Sequence, residues 1–202
     1  MTAEVAWRLF IERGYDNVTV HDICTAADIA PRTFHRYFAS KDDVVAEPVR
    51  RMTRVITDYI AAAPLATPDA DVLRLAMLEL GRFVIDHKGL LTALRTVVAQ
   101  SHQLKAAYLG LRPDQDGEIA AQLAARSDLA AAHWRLRLSV ACVVAAFRIW
   151  HDDYLHDSAA DPIGHLDEIL SALADGTLPI ATATAKPGAG TPAGGAGARR
   201  SS

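Results

Sequence analysis

Apolar positions fall at helical spacing over most of this chain. Ala3, Ala6, Trp7 and Phe10 share one stripe of a helix over residues 3–13, and Gly14 stands where a helix C-terminus favours glycine. Val20, Ile23, Cys24 and Ala27 form a second, shorter stripe at i, i+3, i+4 and i+7. Thr19 opens it, with Asp22 at i+3, an approximation to a capping box. Asp28 sits at a sharp turn, as one of the few non-glycine residues that tolerate a left-handed backbone. Pro31 suits the first turn of the next helix, because its fixed φ is helical and its missing N–H is unpaired there anyway. Ser40 with Asp43 repeats the capping signature and starts a helix running to about residue 62. Pro48 lies too deep in that helix for a first-turn proline, so it removes one backbone bond and is expected to kink or divide it.

The same spacing continues further on. Residues 71–87 read as a helix closed by His87, Lys88 and a C′ glycine, Gly89. Residues 90–111 are strongly apolar and helical, in two pieces divided near Ser101, and Pro113 with Asp114 is expected to open another helix reaching about residue 126. Residues 129–156 read as the longest helix. Asp161 caps and Pro162 begins a last one, ending at Asp175 with Gly176 after it. No strand alternation is visible in this half, so the expected fold class is all-α. From residue 181 the chain is Ala, Gly, Pro and Thr, closing with Arg199, Arg200, Ser201 and Ser202, a composition that cannot bury a core and is expected to be disordered.

Residues 19–41, TVHDICTAADIAPRTFHRYFASK, thus describe two short helices joined by a tight turn, a helix-turn-helix whose second helix enters the DNA major groove. From Ala30 to Lys41 there are three cations, Arg32, Arg36 and Lys41, and no acid. Phe34 and Phe38 pack inward, which leaves Arg32, Thr33, His35, Arg36 and Tyr37 facing outward. Cations would meet phosphates, and Thr33 or an arginine would reach base edges. A solvated amphipathic helix that happens to be basic explains the same pattern, and spacing and charge alone leave both readings open.

The run FIERGYDNVTVHDICTAADIAPRTFHRYFASKDDVV, residues 10–45 without a gap, closely resembles the N-terminal domain of the TetR family of bacterial transcriptional regulators. By that resemblance the helix opened by Thr19 is the positioning helix, the helix opened by Pro31 is the recognition helix, and Lys41 occupies a position that commonly contacts a phosphate. Three positions depart from the pattern: Asp28 where Gly is commoner, Ala30 where a Ser or Thr cap is commoner, and His35 where Tyr is commoner. The missing cap at Ala30 costs about 1 kcal/mol of helix stability. The resemblance also implies that the helix after Ser40 joins the head to the rest and that its tilt carries the allosteric signal, which would make Pro48 a hinge; a merely tolerated bend fits equally well.

Composition changes this picture in one respect. The chain has 202 residues, 50% of them hydrophobic, ample for a buried core in one or two domains. Its net charge is −3, so any DNA contact must be local. Within the first fifty residues, Arg8, Arg13, Arg32, Arg36, Lys41 and Arg50 are outnumbered by Glu4, Glu12, Asp16, Asp22, Asp28, Asp42, Asp43 and Glu47. Met1 falls inside the first helix, whereas the resembling family places a short basic arm and further helix ahead of it. The expectation is a chain shortened at its start, through a misplaced start codon or divergence, with weak and steeply salt-sensitive DNA affinity. Cys24 and Cys142 lie in apolar helical runs without paired or metal-ligand spacing and read as small buried hydrophobes in a reducing compartment. No signal peptide or membrane-spanning run is visible, and the expected location is cytoplasmic.

The expected organisation is a three-helix helix-turn-helix DNA-binding domain over residues 1–46, a helical ligand-binding and dimerisation domain over residues 47–178, and a tail over residues 179–202. Two late apolar helices, with Ala141, Val144, Ala145 and Arg148 on a face of mostly small side chains, are what a four-helix dimer interface needs. An intramolecular core accounts for them as well, and the resemblance favours the homodimer. Residues 87–111 and 119–150 resemble more loosely a TetR subgroup whose C-terminal domain is acyl-CoA-like ligand binding, through a basic residue after the Leu91 region, the helix end from Leu123 to Arg126, and Arg148 with Trp150.

An apolar helical cavity with a few convergent polar groups suits a small apolar or acyl-type effector. Arg95, Gln100, Tyr108 and Arg137 are the candidate polar contacts, and Phe83, Leu94, Val98 and Phe147 the candidate walls. Plain core for the walls and surface ion pairs for the arginines are the competing explanations. Asp152 and His156 share a helix face at i, i+4, beside His151 and Asp153, but a wet helix end explains them and no metal is expected. No catalytic triad, phosphate-cradling loop or carboxylate pair stands out, so no catalytic residue and no cofactor is assigned. The function expected is that of a ligand-responsive repressor that binds an inverted-repeat operator in double-stranded DNA as a dimer and is released by its effector. A transcriptional activator uses the same contacts, and a helical small-molecule-binding or interaction protein that has lost DNA binding is the rival from another class.

Overall fold

The computed structural model describes residues 2–127, 129–156 and 160–175, with the side chains of residues 107–114 outside that description. Gly176 and the Ala/Gly/Pro tail also lie outside the described residues. Among the described residues there are α-helices and no strand: α1 (Thr2–Arg13), α2 (Val20–Ala26), α3 (Pro31–Tyr37), α4 (Lys41–Ala62), α5 (Asp69–Asp86), α6 (Lys88–Gln100), α7 (His102–Ala124), α8 (Trp134–His156) and α9 (Pro162–Ala174). A short 3-10 turn, Tyr15–Asn17, links α1 to α2. No helix among the described residues is long and apolar enough to cross a membrane.

Helices α1, α2 and α3 form the head. Ala6, Trp7, Leu9 and Phe10 of α1 are buried against Tyr15, Val18, Ile23, Cys24 and Phe34. Gly14 closes α1 at a φ of +80°, where a side chain would be strained, and its N–H reaches the Phe10 carbonyl at 3.1 Å. Below the head, α4 packs on α5 and α7, and α8 packs on α7, α5 and α9. A Cβ at Gly81 would stand 2.6 Å from Leu166 Cδ2, so α5 and α9 approach through the absence of a side chain. Trp150 fills the space beside them and donates from Nε1 to the Pro162 carbonyl at 2.7 Å.

Three boundaries differ from the expected ones. His87 breaks the chain between α5 and α6, and α6 begins at once, so Gly89 lies inside α6 with ordinary helical φ and is no C′ glycine. The His87 ring does the capping: its Nδ1 donates to the Phe83 carbonyl at 2.8 Å and the ring stacks on Phe83 with centroids 4.1 Å apart. Pro113 does not open a helix, because α7 runs unbroken from His102 to Ala124. Its start is fixed by Ser101, which accepts from the Leu104 N–H, and its far end by burial of Ile119, Ala120 and Leu123, so one proline without an N–H is carried inside it. Helix α8 starts at Trp134 rather than residue 129, since residues 129–133 turn and His133 Nδ1 accepts the Arg135 N–H at 3.2 Å. Pro48 likewise lies within a single α4, buried.

Arg126 closes the body. Its side chain is 5% exposed and donates to the carbonyls of Ala63 at 2.6 Å, Pro64 at 2.8 Å, Thr67 at 3.2 Å and Ile60 at 3.3 Å, with Asp69 at 3.4 Å. One guanidinium thus satisfies the C-terminal carbonyls of α4 and reaches the first acid of α5, which explains an arginine at the helix end that the loose resemblance singles out. Arg126→Ala removes these bonds, strands the part-buried carbonyls of Ile60, Ala63 and Thr67, and should lower the unfolding free energy by about 3 kcal/mol, read from urea denaturation midpoints at unchanged slope. Arg126→Lys should recover only part of the loss, because a single ammonium cannot span the same acceptors.

Candidate nucleic-acid interface and effector cavity

The reading pair is built from local rules. Thr19 takes an extended φ of −101°, its backbone N–H donates to Asp22 Oδ2 at 2.8 Å, and Asp22 N–H donates back to Thr19 Oγ1 at 3.2 Å, completing a capping box. The Thr19 hydroxyl, and then its backbone N–H, hold the Asp22 carboxyl below the usual carboxylate range by donating to the charged form. Asp28 turns the chain at a φ of +51°. Ala30 supplies no side-chain cap, so α3 depends on Pro31 in its first turn and on the burial of Phe34, whose ring lies 5.6 Å from that of Phe38.

Burying Phe34 turns Arg32, His35, Arg36 and Tyr37 out to solvent, with Thr33 half-buried at the edge of the face. The Arg36 guanidinium donates to the Tyr37 hydroxyl at 2.8 Å and lies 4.7 Å over the same ring, so the two present a planar cation beside an aromatic. Lys41 is placed differently. Its ammonium donates to the carbonyls of Tyr15 and Val18, both at 3.0 Å, and sits 4.1 Å over the Tyr15 ring. Two of its three donors are therefore committed to the turn ahead of α2.

Five of the eight acids in the head are engaged away from this face, while Asp28 stands exposed in the turn ahead of α3. Asp22 serves the capping box, Asp42 accepts from the Tyr15 hydroxyl, and Asp43 accepts from Ala39 N–H at 3.0 Å and pairs with Arg50 at 2.8 Å. Glu47 is held between Arg50 at 3.1 Å and Arg54 at 2.7 Å. Among the described residues neither Arg32 nor Arg36 has a carboxylate partner. Asp16 faces the body, where the Ser101 hydroxyl donates to it at 2.9 Å while capping α7. Together with packing of α1 on α6, this ties the head to the helices below.

Those helices enclose a cavity of about 380 Å³. Helix α4 contributes Val49, Met52, Thr53 and Ile56, α5 contributes Met77 and Leu80, and α6 contributes Leu91, Leu94 and Val98. Charged groups gather at its rim: Arg95 pairs with Asp152 at 2.8 Å, and Asp116 and Arg148 stand nearby. His151 lines it too, with its ring nearly parallel to Phe147 at 6.1 Å and its Nε2 buried without a hydrogen-bond partner. Burial pushes the His151 pKa below the usual imidazole range; Asp152 opposes that shift and Arg95 reinforces it.

Of the candidate ligand contacts, Leu94, Arg95, Val98 and Phe147 meet in this cavity. Phe83 is outside it, occupied by the stack with His87; Gln100 is exposed at the end of α6 and Arg137 on the outer side of α8. The Tyr108 side chain lies outside the described residues. The four-residue face around Ala141 splits: Val144 and Arg148 look into the cavity, while Ala141 and Ala145 are exposed. The resemblance implies a pocket beside the connecting helix, but sequence reasoning named no residue of α4 and not His151, although the apolar i, i+3, i+7 spacing of Val49, Met52 and Ile56 is legible. Near His156 the side chains are engaged elsewhere, its Nδ1 donating to the Asp152 carbonyl at 2.6 Å and Asp153 lying 3.8 Å from His165.

A helix-turn-helix head whose Arg32 and Arg36 have no carboxylate partner among the described residues, mounted on a hollow helical body, is the architecture of the DNA-binding regulator class. Residues 3–47 match bacterial regulatory proteins, tetR family. The HTH-type transcriptional regulator TcmR of Streptomyces glaucescens is 28% identical over 127 residues, 60% of this chain and 56% of that protein, so the match spans little more than half of the curated relative. Among solved structures, the fatty acid degradation regulator FadR from Bacillus halodurans aligns at a TM-score of 0.59 and 17% identity, covering 85% of this chain and 92% of that one. The TetR-family repressor FadR of Thermus thermophilus, solved with lauroyl-CoA, aligns at 0.55 and 19% identity, covering 96% and 98%. The head, residues 3–47, therefore matches the DNA-binding domain of the tetR family, a family of regulators rather than of enzymes, and the whole chain shares the fold of solved TetR-family regulators.

The depressed His151 pKa fixes a sign. Below the ordinary imidazole pKa of about 6.5 the unfolded chain takes up a proton that the folded chain resists, so this group lowers stability as pH falls through that value towards its folded one. Thermal unfolding measured between about pH 7 and pH 5 should show a smaller loss of Tm in His151→Phe than in the parent.

Proposed function

We propose that the protein is a homodimeric, cytoplasmic repressor that binds an inverted-repeat operator through α3 and is released when a small, mainly apolar effector enters the cavity of the body. The observation that carries this reading is the double role of α4, whose first turn is bonded into the head through Lys41 and whose middle turns, at Val49, Met52, Thr53 and Ile56, wall the cavity. On this reading the DNA-binding unit is residues 1–46 and the ligand-binding and dimerisation unit residues 47–178, with the tail beyond.

Arg32 and Arg36 are the principal phosphate contacts, with the free donor of Lys41 and the Thr19 region beside them. Thr33, His35 and Tyr37 face base edges and sugar. Each subunit places α3 in one of two successive major grooves, with centres about 34 to 36 Å apart. The partner subunit covers the outer side of α8, where Trp134, Leu138 and Ile149 are each more than half exposed and Ala141 and Ala145 lie between them. Effector and operator then compete through a coupling of about 1 to 3 kcal/mol.

Titration of the protein against the DNA upstream of its own gene, at several salt concentrations, tests this. Saturable, sequence-preferring binding is expected, and Arg32→Ala with Arg36→Ala should weaken it and reduce the salt slope by about 1 per lost phosphate contact. Equal binding to every sequence, with both arginines dispensable, would sink the reading and leave a ligand-binding module. Leu138→Glu with Ile149→Glu should convert the dimer to monomers in sedimentation velocity and lower operator affinity, while retaining the helical far-ultraviolet spectrum.

A further inference from the structure

The cavity just assigned to an effector carries an unsolved hydrogen-bonding problem. His151 Nε2 is buried with no partner in the wall of a cavity that is also lined by Met52, Leu94, Val98 and Phe147. A buried polar atom without a partner is disfavoured unless something that binds there supplies one. The charges at the rim narrow what that something is. Two guanidiniums, Arg95 and Arg148, face two carboxylates, Asp116 and Asp152, and Arg95 is committed to Asp152 at 2.8 Å. Among the described residues the opening thus carries charges of both signs, so an entering carboxylate or phosphate meets acids as well as cations there. Of the polar side chains in the wall, Thr53 already donates to the Val49 carbonyl at 3.3 Å, whereas the His151 ring, in a near-parallel stack on Phe147, keeps Nε2 without a partner.

We infer that the effector is an uncharged, mainly apolar molecule bearing a hydroxyl, and that His151 Nε2 is the atom that recognises the hydroxyl. A hydroxyl both donates and accepts, so it pairs with Nε2 in either tautomer of a neutral imidazole. A methyl group in its place leaves the nitrogen unpaired, and a carboxylate has to be desolvated against a ring that burial keeps neutral. The apolar remainder of the molecule fills the space between α4 and α6. This inference rests on the reading of the cavity as the effector site and adds the chemistry of the effector.

Three probes of one shape separate the two. Naphthol, methylnaphthalene and naphthoate are titrated by calorimetry into the full chain, into His151→Phe, which keeps the aromatic stack without the nitrogen, and into Leu94→Trp, which fills the cavity. Circular dichroism checks that each variant is folded. Naphthol should bind the parent about ten-fold more tightly than methylnaphthalene, with naphthoate weakest; His151→Phe should erase the preference by weakening naphthol alone, and Leu94→Trp should remove all three. If the naphthol preference survives in His151→Phe, or naphthoate is preferred by the parent, the role of His151 is overturned while the cavity stands. If no probe binds the parent, or Leu94→Trp binds all three unchanged, the cavity is not the effector site and the inference falls with it.

Discussion

Helix α4 is fixed at each end by one cation that reaches across from, or to, another part of the chain. At its start the Lys41 ammonium bonds the carbonyls of Tyr15 and Val18; at its end the Arg126 guanidinium gathers the carbonyls of Ile60, Ala63, Pro64 and Thr67. Tyr15 and Pro64 also accept a backbone N–H, from Val18 and Thr67, but the others lie where a helix or turn ends, and burying such a carbonyl unpaired is costly. The two cations therefore decide where α4 can lie. With 22 residues at 1.5 Å each, the helix is about 33 Å long, so a tilt of about 5° about its Arg126 end displaces the Lys41 end by about 3 Å. A small change in the width of the cavity beside Met52 and Ile56 is large at the reading head.

A lever alone would leave the head free to swing, but a second attachment limits it. Ser101 stands between α6 and α7, nearly fully buried, and its hydroxyl serves two partners at once: it donates to Asp16 of the head and accepts the Leu104 N–H that starts α7. Helix α6 supplies Leu91, Leu94 and Val98 to the cavity, and α7 supplies Ile119. An occupant of the cavity would touch α4 directly and would reach the Ser101 contact only through α6 and α7, the helices that Ser101 joins. An effector shifts operator affinity only as far as it binds the two arrangements of these helices differently. The Asp16 and Ser101 contact is a natural place for that difference, because one hydroxyl cannot hold both partners if α7 slides relative to the head.

How much of this was legible in the sequence follows from the range of each interaction. The capping box of Thr19 and Asp22, the left-handed turn at Asp28, the proline start of α3 and the Asp161 cap of α9 are set by neighbours within a few residues, and sequence reasoning finds them. It failed where a distant partner overrides a local signal. Gly89 looked like a C′ glycine, but the His87 ring had already closed α5; Pro113 looked like a helix start, but packing of the turns on either side carried α7 through it. Arg126 looked like a helix-end cation, and its partners lie about sixty residues back in the chain. The cavity lining was legible in part, through Leu94, Arg95, Val98 and Phe147, because α6 and α8 are visibly apolar. His151 was weighed only as a metal ligand, since its burial against Phe147 cannot be seen from spacing.

Net charge was the least informative quantity of all. A head with more acids than bases argues against DNA only if the acids act at the reading face, and at physiological salt the field of a solvated charge dies away within about 8 Å. Here Asp43 and Glu47 are neutralised by Arg50 and Arg54 along the side of α4, Asp16 is turned to Ser101, and Asp22 is spent on two hydrogen bonds at the start of α2. On the proposed reading a phosphate at α3 meets Arg32 and Arg36, neither of which pairs with a carboxylate among the described residues. The sum over the chain and the potential at one helix are different physical quantities, and only the second bears on binding.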